Sequence, residues 1–162
     1  NSQSWSTFGM PNSNGLYNAA ASLELVEHFL YNFGKTLTLN AYGILHWNKG
    51  ASGAASDSNL DFGVGARTVL YLHDNFHLVN ELSFQGLQNG DGPLQNAVKF
   101  SFVPTIVPTG DRSAWARPHI RLIYTLAVYN QSAVETAQAP FLAAFGGKSV
   151  GHYFGTRAEW WF

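Results

Sequence analysis

The chain has 162 residues, enough for one domain, and its net charge of −1 offers no basic field for nucleic acid. Charged residues make up only 12%, about half the usual share near a quarter, against 46% hydrophobic and 15% aromatic. With no Cys there are no disulfides, thiolate metal sites or Cys nucleophile, and no run approaches the ~18 apolar residues of a membrane helix.

Low charge with many aromatics suits a surface that faces lipid, although a sticky soluble β-sandwich shares that composition. Residue 1 opens no signal peptide, so the chain reads as mature or as a piece of something longer.

Apolar residues recur at two-residue steps, which predicts strands rather than amphipathic helices. The first stretch, Ala21 to Tyr31, sets Leu23, Leu25 and Phe29 against Glu24, Val26 and His28. After a gap at 32–35, Thr36 to Trp47 sets Leu37, Leu39, Ala41, Leu45 and Trp47 against Thr38, Asn40, Tyr42 and His46. A Gly/Ser/Ala/Asn-rich loop at 48–59 leads to Leu60 to Leu72, where Phe62, Val64, Ala66, Leu70 and Leu72 oppose Asp61, Arg67 and Tyr71. A tight turn at 73–75 leads to Phe76 to Gln88, with Phe76, Leu78, Leu82 and Phe84 against His77, Glu81, Ser83 and Gln85.

Gly90, Gly92 and Pro93 mark a further loop. Asn96 to Val107 then sets Val98, Phe100, Phe102 and Ile106 against Lys99, Ser101 and Thr105. Past a short connection, Ala116 to Asn130 sets Ile120, Leu122, Tyr124, Leu126 and Val128 against Arg117, His119, Arg121, Thr125 and Tyr129. A long loop at 131–149 precedes Val150 to Phe162, where Phe154, Thr156, Ala158, Trp160 and Phe162 oppose Tyr153, Arg157, Glu159 and Trp161.

Each stretch runs about 11 to 15 residues, near a tilted membrane strand and well beyond the ordinary ~5–6. Long gaps (131–149, 89–95, 48–59) alternate with tighter ones (108–115, 73–75, 32–35), as in barrels with long outer loops and short periplasmic turns. The expected fold class is therefore an all-β, antiparallel transmembrane β-barrel. Barrels of this kind take an even number of strands, and this chain supplies an odd one. Residues 21–162 thus read as seven strands of the C-terminal part of a larger barrel domain, with residues 1–20 as an extracellular loop. The other possibility is a complete small barrel with an eighth strand in residues 1–20.

Three stretches resemble the maltoporin and sucrose-porin family of sugar-specific porins. Ser113–Ala114–Trp115–Ala116–Arg117–Pro118–His119–Ile120–Arg121 is similar to the family's Trp-x-Arg-Pro-x-Ile-Arg-Val-Phe segment, with Leu122 and Ile123 in place of Val and Phe. The ending Trp160–Trp161–Phe162, with Phe154–Gly155 upstream, is similar to the family's closing motif, with Glu159 one place late. Asp61 to Arg67 is a weaker match. The resemblance implies a barrel of about 18 strands, a homotrimer in the bacterial outer membrane, and sugars sliding along lumen-facing aromatics. Trp115 and Trp161 match the late positions of that path, while the charged constriction belongs to an N-terminal half outside this sequence.

Alternation independently puts both Trp residues on the polar side, near one another at the periplasmic end. Sugar stacking and membership of an interfacial girdle are both open for them. The sugar path expected from these readings is Trp115, Trp161, Arg117, Arg121, Tyr153 and Arg157. The Arg and Glu side chains on that side either pair with one another and keep the pore wet, or bind hydroxyls and lend a mild anion preference.

Gly147–Lys148–Ser149–Val150–Gly151 fits the nucleophile-elbow spacing but lacks the strand before and the helix after it. The six His residues show no metal-ligand spacing. The expectation is a passive pore with no cofactor, no metal and no catalysis, its partners an oligosaccharide substrate and outer-membrane lipid. A small lipid-modifying outer-membrane enzyme using Ser149 or His119, or a non-conducting structural barrel, are the alternatives.

Overall fold

The computed structural model describes residues 9–136, 144 and 146–160. Seven strands account for most of them: β1 (Ala21–Phe33), β2 (Leu37–Lys49), β3 (Ser58–His73), β4 (Phe76–Asn89), β5 (Gln95–Ile106), β6 (His119–Tyr129) and β7 (Val150–Glu159). They form one sheet in chain order with every neighbouring pair antiparallel, and β1 and β7 are its two edges.

The register turns alternation into two faces. Leu25 pairs with Leu45 and Leu45 with Phe62, while Phe84 pairs with Val98 and Val98 with Val128. One face is therefore largely apolar, and it is exposed: Leu25, Phe29, Val64, Leu82, Phe100, Ile120, Leu122 and Phe154 all stand open on it. An apolar face this extensive needs a non-aqueous neighbour. The opposite face carries the buried residues, including Thr38, Val69, Tyr71, His77, Val79, Val103, Thr105 and His119. We call these the outer and inner faces.

Polar residues interrupt the outer face at several points, among them Asn80 paired with Thr68 in mid-sheet, His152 and Glu27. His152 accepts or donates a 3.1 Å hydrogen bond with Tyr124. Glu27, midway along β1 and opposite Gly43, makes no hydrogen bond or ion pair among the described residues.

Connections at one end of the sheet are residues 34–36, 74–75 and 107–118; at the other they are 50–57, 90–94 and 130–149. Residues 9–20 form no strand and belong to the second end, where the Met10 amide donates to Asp57 (2.8 Å) and the Ala51 amide to the Met10 carbonyl. The Asp57 carboxylate also accepts from the amide and hydroxyl of Ser52. It lies where a Cβ on Gly50 would have to sit, so this latch requires a glycine there.

Three expectations need correction. The sixth strand begins at His119 rather than Ala116, so Trp115 and Arg117 belong to the preceding connection. Proline at 118 cannot donate to a ladder, which is consistent with pairing starting beyond it. That connection is also not a short turn. It folds over the inner face, where Ala114 packs against the Val69, Tyr71, Val79 and Val103 cluster. Arg112 there reaches both Asp74 (2.6 Å) and the Lys35 carbonyl. Finally, the long last loop contains a one-turn helix, α1 (Gln131–Glu135), capped by the Asn130 side chain accepting from the Ala133 amide.

Candidate functional site: a charged recess on the inner face

The inner face closes around a recess of about 260 Å³, whose lining runs from Asn40 on β2 to Arg157 and Glu159 on β7. A recess lined from β2 through β7 requires the sheet to curve around it. Its floor is the buried apolar cluster, and its rim at one side is the 107–118 connection, which contributes Ser113, Trp115 and Arg117.

Charge is concentrated there. Arg67 (β3) donates through Nε to Glu81 (β4) at 2.7 Å, its cross-strand neighbour. Glu159 (β7) serves three cationic or potentially cationic groups: Arg117 at 2.9 Å, His119 at 3.2 Å and Arg157 at 3.5 Å. Arg121 (β6) stands directly opposite Arg157, with Thr105 on its other side. Its Nε is buried and has no hydrogen-bond partner, and among the described residues it makes no ion pair. Two like charges directly opposed on neighbouring strands are destabilising unless something compensates them.

His119 is buried, its Nδ1 donating to the Ala116 carbonyl at 3.2 Å. This bond anchors the end of the 107–118 connection to the start of β6. His77, also buried, packs edge-on against Tyr71 at 4.8 Å and meets the Asp74 carbonyl at 3.2 Å. The Thr38 hydroxyl donates to Asn32 at 2.6 Å, so its 2.7 Å bond with Tyr71 is donated by the phenol.

Of the sugar-path residues expected from sequence, Trp115, Arg117, Arg121 and Arg157 line this one recess. Trp115 is the most open of them, at 67% exposure. Tyr153 shares the inner face with Arg157 but stands four residues along β7, about 13 Å away, opposite Thr125. Trp161 lies outside the described residues. Sequence reading left out Asn40, Val79 and Ser113, which also line the recess. The first two sit on its inward-facing parity, whereas Ser113 arrives through a non-local fold of the connection.

The two residues considered for catalysis do not meet. His119 opens β6, while the Ser149 carbonyl accepts from Tyr129 at the other end of that strand, about 30 Å off. Among the described residues no cluster of His, Asp or Glu has the geometry to hold a metal ion.

A two-faced sheet of membrane-length strands, oily outside and charged within, defines a wall of a transmembrane β-barrel. The LamB porin family model matches residues 1–162, and the chain belongs to that family of bacterial outer-membrane, sugar-specific porins. A trimeric barrel fits the family, and membership points to a channel rather than an enzyme. A search of curated protein sequences returns no match.

Proposed function

We propose that this chain forms the C-terminal wall of a sugar-selective pore through which oligosaccharides diffuse passively across the outer membrane. The observation that carries the reading is the recess itself. An exposed indole, Trp115, stands at the edge of a cluster of guanidinium and carboxylate groups, on the face opposite the apolar one. Indole offers the flat apolar face that the CH side of a pyranose ring stacks on. Arg117, Arg121 and Arg157 offer the fixed donor forks that replace the water on its hydroxyls. Tyr153 extends this path along β7, Trp161 is assigned to it on the sequence alone, and no covalent chemistry is required of any of them. The pore works as a homotrimer, with outer-membrane lipid against the outer face.

The test is planar-bilayer conductance of the full-length protein. Maltodextrins should block the current, and Trp115→Ala should weaken the block about two- to twelvefold, the factor that losing a ring-stacking contribution of about 0.5–1.5 kcal/mol gives. Conductance without block by any sugar, or block indifferent to Trp115→Ala, would overturn the reading.

A further inference from the structure

The charges in the recess do not balance, and the imbalance is placed at one spot. Four guanidinium groups, Arg67, Arg117, Arg121 and Arg157, line it. Among the described residues, the carboxylates within reach of them are Glu81 and Glu159. Glu81 is engaged by Arg67, and Glu159 is divided between Arg117, His119 and Arg157. Arg121 is left with a buried, unpartnered Nε directly opposite Arg157. A wall built only for neutral hydroxyls gains nothing from setting two guanidinium groups face to face. Such a pair is stabilised by a shared anion, because each guanidinium can donate two parallel hydrogen bonds to an oxyanion.

From this we infer that Arg121 and Arg157 form an oxyanion subsite, taking the phosphate, sulfate or carboxylate of an anionic sugar whose ring lies toward Trp115. The inference rests on the reading of the inner face as the wall of a sugar pore and narrows its substrate class. The recess, at about 260 Å³, has room for roughly nine waters at about 30 Å³ each, more than a bare oxyanion displaces. Thr105, beside Arg121 on β5, donates its hydroxyl to the Val103 carbonyl at 3.2 Å and so leaves the two guanidinium groups as the donors of the subsite. Glu159 is held by Arg117 at 2.9 Å and reaches Arg157 only at 3.5 Å, and among the described residues it makes no ion pair with Arg121.

The experiment is titration of current block in planar bilayers holding the full-length protein, with glucose, glucose 6-phosphate and inorganic phosphate compared in 0.1 M and 1 M KCl. Glucose 6-phosphate should block at about tenfold lower concentration than glucose in 0.1 M salt, an advantage that shrinks in 1 M salt. Arg121→Gln should bring that preference close to unity. Arg157→Gln should do the same, and because the Arg157 side chain is 61% exposed, its removal leaves folding least disturbed. The persistence of conducting channels in either variant reports that the barrel has assembled.

Equal block by glucose and glucose 6-phosphate in the unmodified protein would overturn the subsite while leaving the sugar pore standing. A preference that survives both substitutions would also overturn it. Block by inorganic phosphate as strong as by the sugar phosphate, and lost in both variants, would support the subsite and identify the free ion as its ligand. If glucose fails to block while Arg-dependent phosphate block persists, the sugar reading fails and the oxyanion subsite stands.

Discussion

At the scale of single residues, Glu159 and Glu81 are a matched comparison. Both carboxylates pair with arginines on the inner face, but Glu159 gathers three nitrogen-bearing side chains and is one-fifth exposed. Arg117, its nearest partner, is only 11% exposed, whereas Arg67, the partner of Glu81, is 47% exposed. Exposed pairs contribute about 0–1 kcal/mol, while removing one member of a shielded group leaves the others uncompensated. Glu159→Gln is therefore expected to lower the urea midpoint of the barrel, and Glu81→Gln to lower it clearly less. Urea unfolding from lipid vesicles measures both. Equal costs would show that the cluster around Glu159 is no more coupled than an ordinary surface pair.

At the scale of elements, β1 carries a misfit. Glu27 sits halfway along the strand on the outer face, between Leu25 and Phe29 and opposite Gly43. A charge near the bilayer midplane costs about 2–4 kcal/mol for Lys or Arg, and less for Glu. Glu27→Leu should accordingly stabilise the folded barrel by about 1–2 kcal/mol, read from the same vesicle unfolding. A loss of stability would mean that Glu27 faces another protein surface rather than lipid.

The same strand shows what was legible in the sequence. A period of two fixes which residues share a face, so Leu25, Phe29, Val64 and Phe100 and, opposite them, Arg67, His77 and Arg121 could all be assigned before any coordinates. Glu27 falls on the apolar parity by that same rule, but a single charge among apolar residues carries no weight in a pattern. Parity extrapolated past the point where pairing stops puts Arg117 in a strand and gives Trp115, just before it, that strand's polar side. Their real positions depend on Arg112 reaching Asp74 and Lys35, contacts far apart in the chain. The α1 turn was hidden for a related reason. Its cap, Asn130, is fixed as much by the Leu94 carbonyl and the Asn96 amide as by its own helix.

The loop latch at the other end of the sheet responds to acid. Hydrogen bonding from the Ser52 hydroxyl, then from the Met10 amide, holds the Asp57 carboxyl below its usual range. A carboxylate whose folded pKa is depressed stabilises the folded loops fully above its unfolded value. That contribution is lost as pH falls through the folded one. The latch between residues 9–20 and 50–57 should thus hold at neutral pH and loosen progressively below about pH 4. Hydrogen exchange at the Met10 and Ser52 amides follows it, and Asp57→Asn should show the loosened exchange already at pH 7. Protection factors, corrected for the intrinsic pH dependence of exchange, that stay flat from pH 7 to pH 3 would mean that the carboxylate is not what holds these loops.

At the scale of the whole molecule, strand parity decides how the sheet can be completed. Its edges, β1 and β7, run in the same direction because every neighbouring pair between them is antiparallel. In a bilayer both edges must be paired, since unsatisfied backbone groups in hydrocarbon cost several kcal/mol each. Two copies of this sheet joined edge to edge with the same orientation across the membrane would meet in parallel seams. On the reading proposed above, the rest of the barrel therefore contributes an odd number of further strands, which restores antiparallel pairing at both edges. Residues 9–160 refolded alone into vesicles should then give aggregates and no discrete unit conductance, where the full-length protein gives a uniform channel. Single-channel recording with size-exclusion chromatography in detergent makes the comparison. A monodisperse species with one reproducible conductance from the short chain would mean that its edges find partners within itself, and the larger barrel would have to be abandoned.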